Sequence, residues 1–374
     1  MSGKEPQIRP VSPLGRAIKV YLETHHVTQE QLAAIIGYEP RDIRRWKNGE
    51  ATVTDLYKLK GIADHLGIPY TQLGIPSAIY APLSLEYIDS TLARIWSLMD
   101  AALINDARAV AENLVREVSY QIKTDDPILL HAIARTYHAV AHATASNVRT
   151  EGVQQAFDLY HQVEYFARLL EDQTLLNISL TYQGDMLRRA GKIAEATTYL
   201  EAARDTTPEA DPTARGNNVQ LLARIYLQAD RESDFDYAIK QAETLALATR
   251  QQIEKAVTLY DPTTVYEEHA KGYRVFGKEQ QAHDYIDLAE KVRPPIKVLE
   301  LLLRIARAEI LIYNGDLYNG EPLAIQAAID CRTGGHYRLL ERVYALNRYI
   351  DREILRYGKA KIALSEALEG PIEH

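Results

Sequence analysis

The sequence predicts an all-α protein in two parts, a small five-helix domain followed by a long array of paired helices. Apolar residues recur at the three- and four-residue spacing of amphipathic helices along almost the whole chain, and no segment shows the alternation of a strand. A cluster of glycines and prolines between residues 66 and 84 interrupts this pattern and marks a linker. Beyond it, two stretches repeat one glycine-to-proline spacing, which indicates a repeat array.

The length of 374 residues fits two domains. We expect a flexible arm at residues 1–12, a first domain at 13–75, a linker at 76–90 and the repeat array at 91–374. Residues 1–75 carry a net charge of +2, whereas the remainder carries −10. This contrast favours contact with nucleic acid by the first domain alone, although many two-domain proteins are divided in this way by chance.

Composition and motifs narrow the class of protein. One cysteine, Cys331, leaves no partner for a disulfide within the chain, and no apolar run could serve as a signal peptide or span a bilayer, so we expect a cytoplasmic protein without membrane contact. The sequence has no phosphate-binding glycine loop, no nucleophile elbow and no acid pair at a useful spacing. We therefore predict no enzyme and no cofactor.

One histidine-rich segment has part of the spacing of a metal site. His131, His138 and His142 share one face of a predicted helix, and the last two are four residues apart, which would let them share an ion. No carboxylate or cysteine accompanies them, so we predict no metal, and whether this face has a function stays open.

The first domain begins with two helices joined to a third by a tight turn. The first helix is predicted over Leu14 to about Thr24. The second opens at Thr28, which forms a capping box with Gln31, because each side chain can pair with a free backbone N–H at the helix start. Gly37 ends this helix, since glycine adopts the left-handed backbone conformation without strain.

The third helix carries most of the basic charge of this domain. It is predicted to begin near Pro40, because proline suits the first helical turn, and to end at Asn48–Gly49. Ile43 and Trp46 are three residues apart and point into the core. A fourth helix within 54–68 and a short last one over 69–73 complete the domain. The other face of the third helix holds the bases Arg41, Arg44, Arg45 and Lys47.

The segment "TQEQLAAIIG…IRRWKNGEATVTDLYKLKGIADHLGI" resembles the Xre/Cro-type helix-turn-helix family over about residues 14–75. In that family the third helix enters the major groove of DNA. By position, the resemblance implies contacts to base edges from Pro40, Arg41, Arg44 and Arg45, and contacts to phosphates from Gln29, Lys47 and Asn48. An arginine fork suits the O6 and N7 atoms of guanine, so we expect a G-rich element in each half-site.

Two acidic residues depart from the family pattern at the start of this helix. Glu39 and Asp42 stand where small polar residues are usual. They could repel phosphate, pair with Arg44 or Arg45 and orient them, or accept a hydrogen bond from cytosine N4. A non-DNA module with a solvated basic face is the alternative interpretation of the whole helix, and either arginine alone could be a phosphate clamp or part of an intramolecular ion pair.

The second part contains repeated helix pairs. The separation from Gly191 to Pro208 equals that from Gly277 to Pro294, at 17 residues, and both stretches resemble tetratricopeptide repeats. Weaker copies occur at 127–168, 221–246, 303–331 and 346–368. We expect about six helix pairs in a right-handed superhelix whose concave face is lined by the first helix of each pair.

Polar residues on those first helices are the candidate ligand contacts. Asparagine and arginine can bind the backbone and the carboxylate of an extended peptide. For any one residue, a solvated helix face is the alternative. The candidates are Tyr182, Asp185, Arg189, Asn217, Asn218, Arg224, Glu267, Lys271 and Arg274.

The order of the two parts resembles the RRNPP-type quorum-sensing regulators of Gram-positive bacteria. That resemblance implies a homodimer, a double-stranded, pseudo-palindromic DNA operator, and a short peptide ligand that changes DNA binding. Two alternatives remain: an adaptor whose repeats hold a partner protein, and a phage or mobile-element switch with the same parts. The operator sequence, the choice between activation and repression, and the identity of the ligand do not follow from the sequence.

Overall fold

The structure is a computed structural model and describes residues 12–68, 70–73, 83–119, 125–149, 152–249 and 260–369. Every regular element in these ranges is a helix, so the predicted all-α class is confirmed. The chain forms two compact units, Met1–Ser84 and Leu85–His374, which are described separately. Residues 1–11 of the predicted arm and 76–82 of the predicted linker lie outside the described ranges. No helix within those ranges is both long enough and apolar enough to cross a membrane.

The described residues of the first unit form four α-helices and a final 3₁₀ turn. They are α1 (Pro13–His25), α2 (Gln29–Ile36), α3 (Pro40–Lys47), α4 (Leu56–Leu66) and the turn Tyr70–Leu73.

The local signals of the first unit act as the sequence predicts. The hydroxyl of Thr28 accepts a hydrogen bond from the Gln31 backbone N–H (3.2 Å), and the Gln31 side chain accepts one from the Thr28 N–H (2.8 Å). Gly37 ends α2 with a φ of 73°. Ile43 and Trp46 are buried in one core with residues of α1, α2 and α4. This buried face fixes the rotation of α3 about its axis.

The second unit is built from thirteen consecutive helices within the described residues. They are α5 (Leu85–Asp100), α6 (Ile104–Ser119), α7 (Pro127–Asn147), α8 (Val153–Leu169), α9 (Gln173–Arg189), α10 (Ile193–Thr206), α11 (Pro212–Gln228), α12 (Glu232–Thr249), α13 (Pro262–Val275), α14 (Glu279–Val292), α15 (Lys297–Tyr313), α16 (Leu317–Gly334) and α17 (Tyr337–Glu369). Helix α5 starts at Leu85, so the repeat unit begins there rather than at residue 91.

Six helix pairs, α5/α6 through α15/α16, make up the array in the described part of the chain. Each helix packs on the next one, and each odd-numbered helix also packs on the following odd-numbered helix. The odd-numbered helices therefore form a continuous inner layer, as expected for the first helices of stacked pairs. Gly191 and Gly277, the two glycines that define the repeat spacing, occupy equivalent turns, with φ values of 79° and 71°.

Small residues allow the two helices of a pair to approach closely. A Cβ atom on Gly184 of α9 would lie 2.8 Å from Leu200 Cγ and 3.2 Å from the Ala196 carbonyl oxygen of α10. A close approach also occurs between successive pairs, where Gly272 of α13 faces the ring of Phe235 of α12. The sequence predicted this use of small residues in the α9/α10 pair.

The predicted pair at 346–368 is wrong, because this segment belongs to the single helix α17, which runs through Gly358. One glycine inside a helix costs only about 1 kcal/mol relative to alanine, and the flanking Lys, Ala, Arg and Leu residues favour helix. The pair α5/α6, which the sequence did not reveal as a repeat, completes the set of six.

Helix α17 brings the end of the array back to its beginning. It packs against α15, α16 and α7. The amide of Asn147, the last residue of α7, donates a hydrogen bond to the Gly335 carbonyl oxygen (3.0 Å) just before α17. Leu339 and Leu340 share a core cluster with Ala102, in the turn between α5 and α6. The first half of α17 therefore covers part of the inner layer.

Candidate functional site

Helix α3 has one buried and one solvent-facing side. Ile43 and Trp46 lie in the core, and Trp46 packs edge-on against Tyr38, with ring centroids 5.1 Å apart. Residues three, four and seven apart share a face of a helix, and on α3 the face away from the core is basic. It consists of Pro40, Arg41, Arg44, Arg45 and Asn48, with Lys47 beside it.

The basic side chains of α3 have no protein partner among the described residues. Arg41 and Arg44 are exposed, Arg45 and Lys47 are half-buried, and none of the four forms an ion pair or a side-chain hydrogen bond. A row of unpaired guanidinium groups on one face of a helix can bind phosphates or the edges of guanines. The arrangement is therefore chemically suited to an anionic surface such as DNA.

The other predicted DNA contacts, Gln29 and Asn48, differ in their freedom to bind. Gln29 is the first residue of α2 and is half-buried. Asn48 is exposed, but its amide donates a hydrogen bond to the Glu50 side chain (3.1 Å). A phosphate contact from Asn48 would have to compete with this hydrogen bond or use the amide's second N–H.

The acidic residues of α3 do not orient its arginines in this structure. Glu39 precedes the helix without capping it through its side chain, and Asp42 is half-buried in the first turn. Neither carboxylate forms an ion pair with Arg44 or Arg45 in the described part of the chain. Of the three roles considered for them, intramolecular pairing is therefore absent here.

The inner layer of the repeat unit borders two adjacent cavities that α17 also lines. The inner cavity, of about 70 Å³, is lined by helices α7, α9, α11, α15 and α17 and by Thr264. The outer cavity, of about 290 Å³, is lined by α9, α11, α13, α15 and α17. Both are bordered by Arg224, Leu302, Arg338 and Leu339. Because they share these residues, we treat them as one candidate site.

Seven of the nine predicted ligand contacts border this site. The inner cavity contains Tyr182, Asp185, Asn217 and Arg224. The outer cavity contains Arg189, Arg224, Glu267 and Lys271.

Two predicted contacts, Asn218 and Arg274, lie elsewhere. Asn218 is fully buried between repeats, where its amide donates to the Thr181 hydroxyl (3.0 Å) and to the Leu200 carbonyl oxygen (3.1 Å). The guanidinium of Arg274 stacks over the ring of Tyr313, 4.2 Å from its centroid. Both residues have structural contacts, and neither borders the two cavities.

Carboxylates within the site are paired with cations. Asp185 contacts Arg188 (2.7 Å), and although burial alone raises the pKa of its carboxyl, the guanidinium groups of Arg188 and Arg224 hold that pKa below its usual range. Glu268 contacts Arg224 (2.6 Å) and Lys271 (3.2 Å). Burial likewise opposes ionisation of Glu268, but these two cations lower its pKa. Both acids are charged at neutral pH.

The first half of α17 supplies two arginines that sequence reasoning missed. Arg338 borders both cavities, and Arg342 bridges Glu267 of α13 (2.8 Å) and Glu309 of α15 (2.7 Å). Their i, i+4 spacing places both on one face of α17. A pair of arginines four apart on a helix was a usable signal, but the segment before residue 346 was not assigned to a repeat.

The histidine face of α7 contributes to packing. His138 and His142 are buried beside Trp96, and His142 Nδ1 lies 3.4 Å from the Tyr160 hydroxyl. Burial lowers the pKa of His138 to about 3 and that of His142 well below its usual value. His131 instead contacts Asp172 near the surface (3.3 Å). Across the described ranges, no group of three or more His, Cys, Asp or Glu side chains could hold a metal ion.

Comparison with known proteins gives structural similarities alone. No protein-family model and no curated protein matches the chain. Sixteen chains of solved structures match. One is BtubC (BKLC) from P. vanneervenii, at 18% identity and a TM-score of 0.42, covering 61% of this chain and 90% of that one. Another is Bacillus thuringiensis PlcR in complex with the peptide PapR7 and DNA, at 14% identity and a TM-score of 0.37, covering 75% of this chain and 96% of that one. Because both scores are low, nothing about the site follows from either similarity.

Proposed function

We propose that this protein is a sequence-specific DNA-binding transcriptional regulator whose repeat unit senses a ligand and changes DNA binding in response. The supporting observation is the basic face of α3, whose arginines have no partner in the described part of the chain while the opposite face is anchored in the core. A fixed helix with free guanidinium groups is what reading of base edges in the major groove requires. Such a regulator would act in the cytoplasm.

The proposed regulator binds DNA as a homodimer. One small domain makes too few contacts for tight specific binding, so two copies are expected to read the half-sites of a pseudo-palindromic operator. Their recognition helices would then be about 34–36 Å apart, or a multiple of that distance.

The proposed ligand is a short signalling peptide bound within the two cavities. Leu299 and Leu339 supply apolar surface, and the amides of Asn217 and Gln220 can pair with a peptide backbone. Because α17 lines both cavities together with α9 and α11, a ligand there contacts both the inner layer and the covering helix. A ligand that binds more tightly to one arrangement of α17 than to another would shift the population towards the first.

A DNA-enrichment experiment tests the first part of this proposal. The purified protein is mixed with sheared genomic fragments at physiological salt, and the bound fragments are sequenced. Wild type is expected to enrich a small set of sites that share a repeated, G-containing element, and Arg41→Ala with Arg45→Ala is expected to lose them. Arg332→Ala with Arg352→Ala is the matched control, since both of these arginines are exposed in the repeat unit. Equal enrichment by the two double variants would contradict the proposal.

A protein-interaction adaptor is the second candidate function. It is favoured by the second half of α17, whose apolar side chains are exposed: Ile354, Leu355, Tyr357, Ile362, Leu364 and Leu368. An exposed apolar stripe of this kind marks a protein-binding surface. Native mass spectrometry and the DNA-enrichment experiment together separate the two functions. A dimer mass with a co-purified peptide supports the regulator. A monomer mass, from a protein that enriches no DNA, supports the adaptor. The genes beside this one would identify a phage or mobile-element switch.

A further inference from the structure

Cations outnumber carboxylates in the outer cavity and its immediate surroundings. Six basic side chains border this cavity: Arg188, Arg189, Arg224, Lys271, Arg338 and Arg342. Four buried acids neutralise four of them: Asp185 pairs with Arg188, Glu268 with Arg224 and Lys271, and Glu267 and Glu309 with Arg342. Glu341, which also borders the cavity, lies 3.9 Å from Arg149. Arg189 and Arg338 are left without an ion-paired carboxylate in the part of the chain that the structure describes.

Arg338 is the more exceptional of these two arginines. It forms no ion pair and no side-chain hydrogen bond with the described residues, and its Nε atom is buried without a hydrogen-bond partner. Burial lowers the pKa of its guanidinium, and the carboxylate that offsets this most, Asp185, is already paired with Arg188. A buried donor on a charged group is costly to leave unpaired, so its retention in a cavity wall points to a partner that enters from outside.

Arg189 has polar contacts but no counter-charge. Its guanidinium donates hydrogen bonds to the carbonyl oxygens of Ala145 (2.7 Å) and Val148 (3.0 Å) at the end of α7. These neutral acceptors hold the side chain in place and leave its positive charge facing the same cavity as Arg338. The two guanidinium groups also repel each other: burial and the positive charge of Arg338 both lower the pKa of Arg189.

We propose that an oxyanion of the ligand, a carboxylate or a phosphate, binds in the outer cavity to Arg338 and is attracted also by Arg189. A planar guanidinium can donate two parallel hydrogen bonds to either group. The inner cavity, with Leu299, Asn217 and Gln220, then takes the apolar and amide-bearing part of the same molecule. This inference names the chemistry of the ligand in the proposed sensor and concerns the repeat unit alone, so it does not depend on DNA binding.

Thermal unfolding of the full chain in matched salts tests the proposal. Sodium phosphate replaces sodium chloride at constant ionic strength and pH; phosphate also stabilises folded proteins generally by exclusion from their surface, so the specific response is the difference between wild type and the Arg338 variant. Wild type is expected to unfold at a higher temperature as phosphate rises, since a ligand bound only to the folded state stabilises it. Arg338→Gln is expected to keep only the general salt effect, with an apparent phosphate affinity for the site at least tenfold weaker.

The direction in which Arg338→Gln changes the unfolding temperature without phosphate distinguishes an anion-binding arginine from a structural one. Arg338→Gln removes a half-buried charge that has no ion-pair partner among the described residues, so in chloride alone it is expected to unfold at the wild-type temperature or above it. In phosphate it is expected to unfold below wild type. A variant that unfolds below wild type by an equal margin in both salts indicates a structural role and overturns the proposal, as does a wild type indifferent to phosphate and to the carboxylate probe described next.

Two further comparisons keep the result interpretable. Arg338→Lys retains the charge without the fork and is expected to give an intermediate response, whereas Arg352→Gln, an exposed arginine on the same helix, is expected to behave as wild type. N-acetyl-leucine and N-acetyl-leucinamide differ in one carboxylate. Stabilisation by the acid and not by the amide identifies a peptide carboxylate as the source, and stabilisation by phosphate alone identifies a phosphate ester. If the anion response is present while genomic DNA is not enriched, the proposed regulator fails and this site stands.

Discussion

Arg342 makes the ion-pair bridge that ties α17 to the inner layer, and its removal has a calculable effect. Its Nε and one terminal nitrogen contact both carboxylate oxygens of Glu309 (2.9 and 2.7 Å). The other terminal nitrogen lies 2.8 Å from Glu267 but is not aligned for a hydrogen bond. Side-chain exposure is 19% for Arg342, 1% for Glu267 and 9% for Glu309, so the charges are mostly shielded from water.

Arg342→Met would leave two buried carboxylates without their shared cation. Removing one partner of a buried ion pair costs about 3–5 kcal/mol. Because Arg342 is partly solvated, we expect about 3 kcal/mol, measured as the change in free energy of unfolding by urea at pH 7. Arg356→Met, which breaks an exposed pair with Glu353 on the same helix, is the control and should cost less than about 1 kcal/mol.

The pH dependence of the Arg342→Met variant gives a second readout. Burial raises the pKa of Glu309, but Arg342 holds that pKa below its usual value, so without the arginine the pKa of Glu309 should rise above normal. A carboxyl whose folded-state pKa exceeds the unfolded value destabilises at high pH, and the loss is recovered as pH falls through the folded-state pKa. The deficit at pH 7 should therefore shrink towards pH 5. A loss below about 1 kcal/mol, or one that does not change with pH, would refute this view of the bridge.

Two other predictions concern the repeat unit. Burial lowers the pKa of His138 to about 3, so between about pH 6.5 and that value only the unfolded chain takes up a proton at this residue. The free energy of unfolding therefore falls by about 1.4 kcal/mol for each unit by which the pH drops in this range. His138→Gln should remove this slope from the pH profile of urea unfolding, and an unchanged profile would contradict the lowered pKa. Gly184→Ala should destabilise by about 1–3 kcal/mol, because the new Cβ would meet Leu200 and the α10 backbone, whereas Gly358→Ala in α17, with open space around it, should stabilise by about 0.5–1 kcal/mol. Equal melting shifts for both glycine variants would contradict the close approach of α9 and α10.

Features set by local chemistry were predictable from the sequence. The capping box of Thr28 and Gln31, the helix starts at proline, and the turns at Gly191 and Gly277 each depend on a few adjacent residues. The basic face of α3 was predictable for the same reason, since Ile43 and Trp46 fix which side of a short amphipathic helix is buried.

The interior of the repeat unit was less predictable, because its inner helices are buried on nearly every side. Along α9 and α11 almost every position from Leu175 to Leu187 and from Gly216 to Ala223 is buried, so hydrophobic periodicity no longer distinguishes the cavity face from the packing face. Asn217 and Asn218 illustrate the limit: they are adjacent, yet one borders the inner cavity and the other pairs with Thr181.

The course of α17 also required the structure. Its contacts with α7 and with the α5/α6 turn join segments about 190 or more residues apart, and they depend on how far the array curves over six pairs. No local pattern records that curvature. As a result, Arg338 and Arg342 were absent from the predicted site, although together they border or bridge most of it.

Competitive binding measurements on an enriched DNA element test the central claim most directly. The quantity is the ratio of specific to non-specific affinity at fixed physiological salt, compared between wild type, Arg41→Ala with Arg45→Ala, and Lys47→Ala. An arginine that reads a guanine contributes about 1–3 kcal/mol of discrimination, so the double variant should lose at least about tenfold in this ratio. Lys47→Ala should weaken both affinities alike and leave the ratio unchanged, as expected for a phosphate contact. A double variant that keeps the wild-type ratio would contradict the assignment of α3 as the helix that reads DNA.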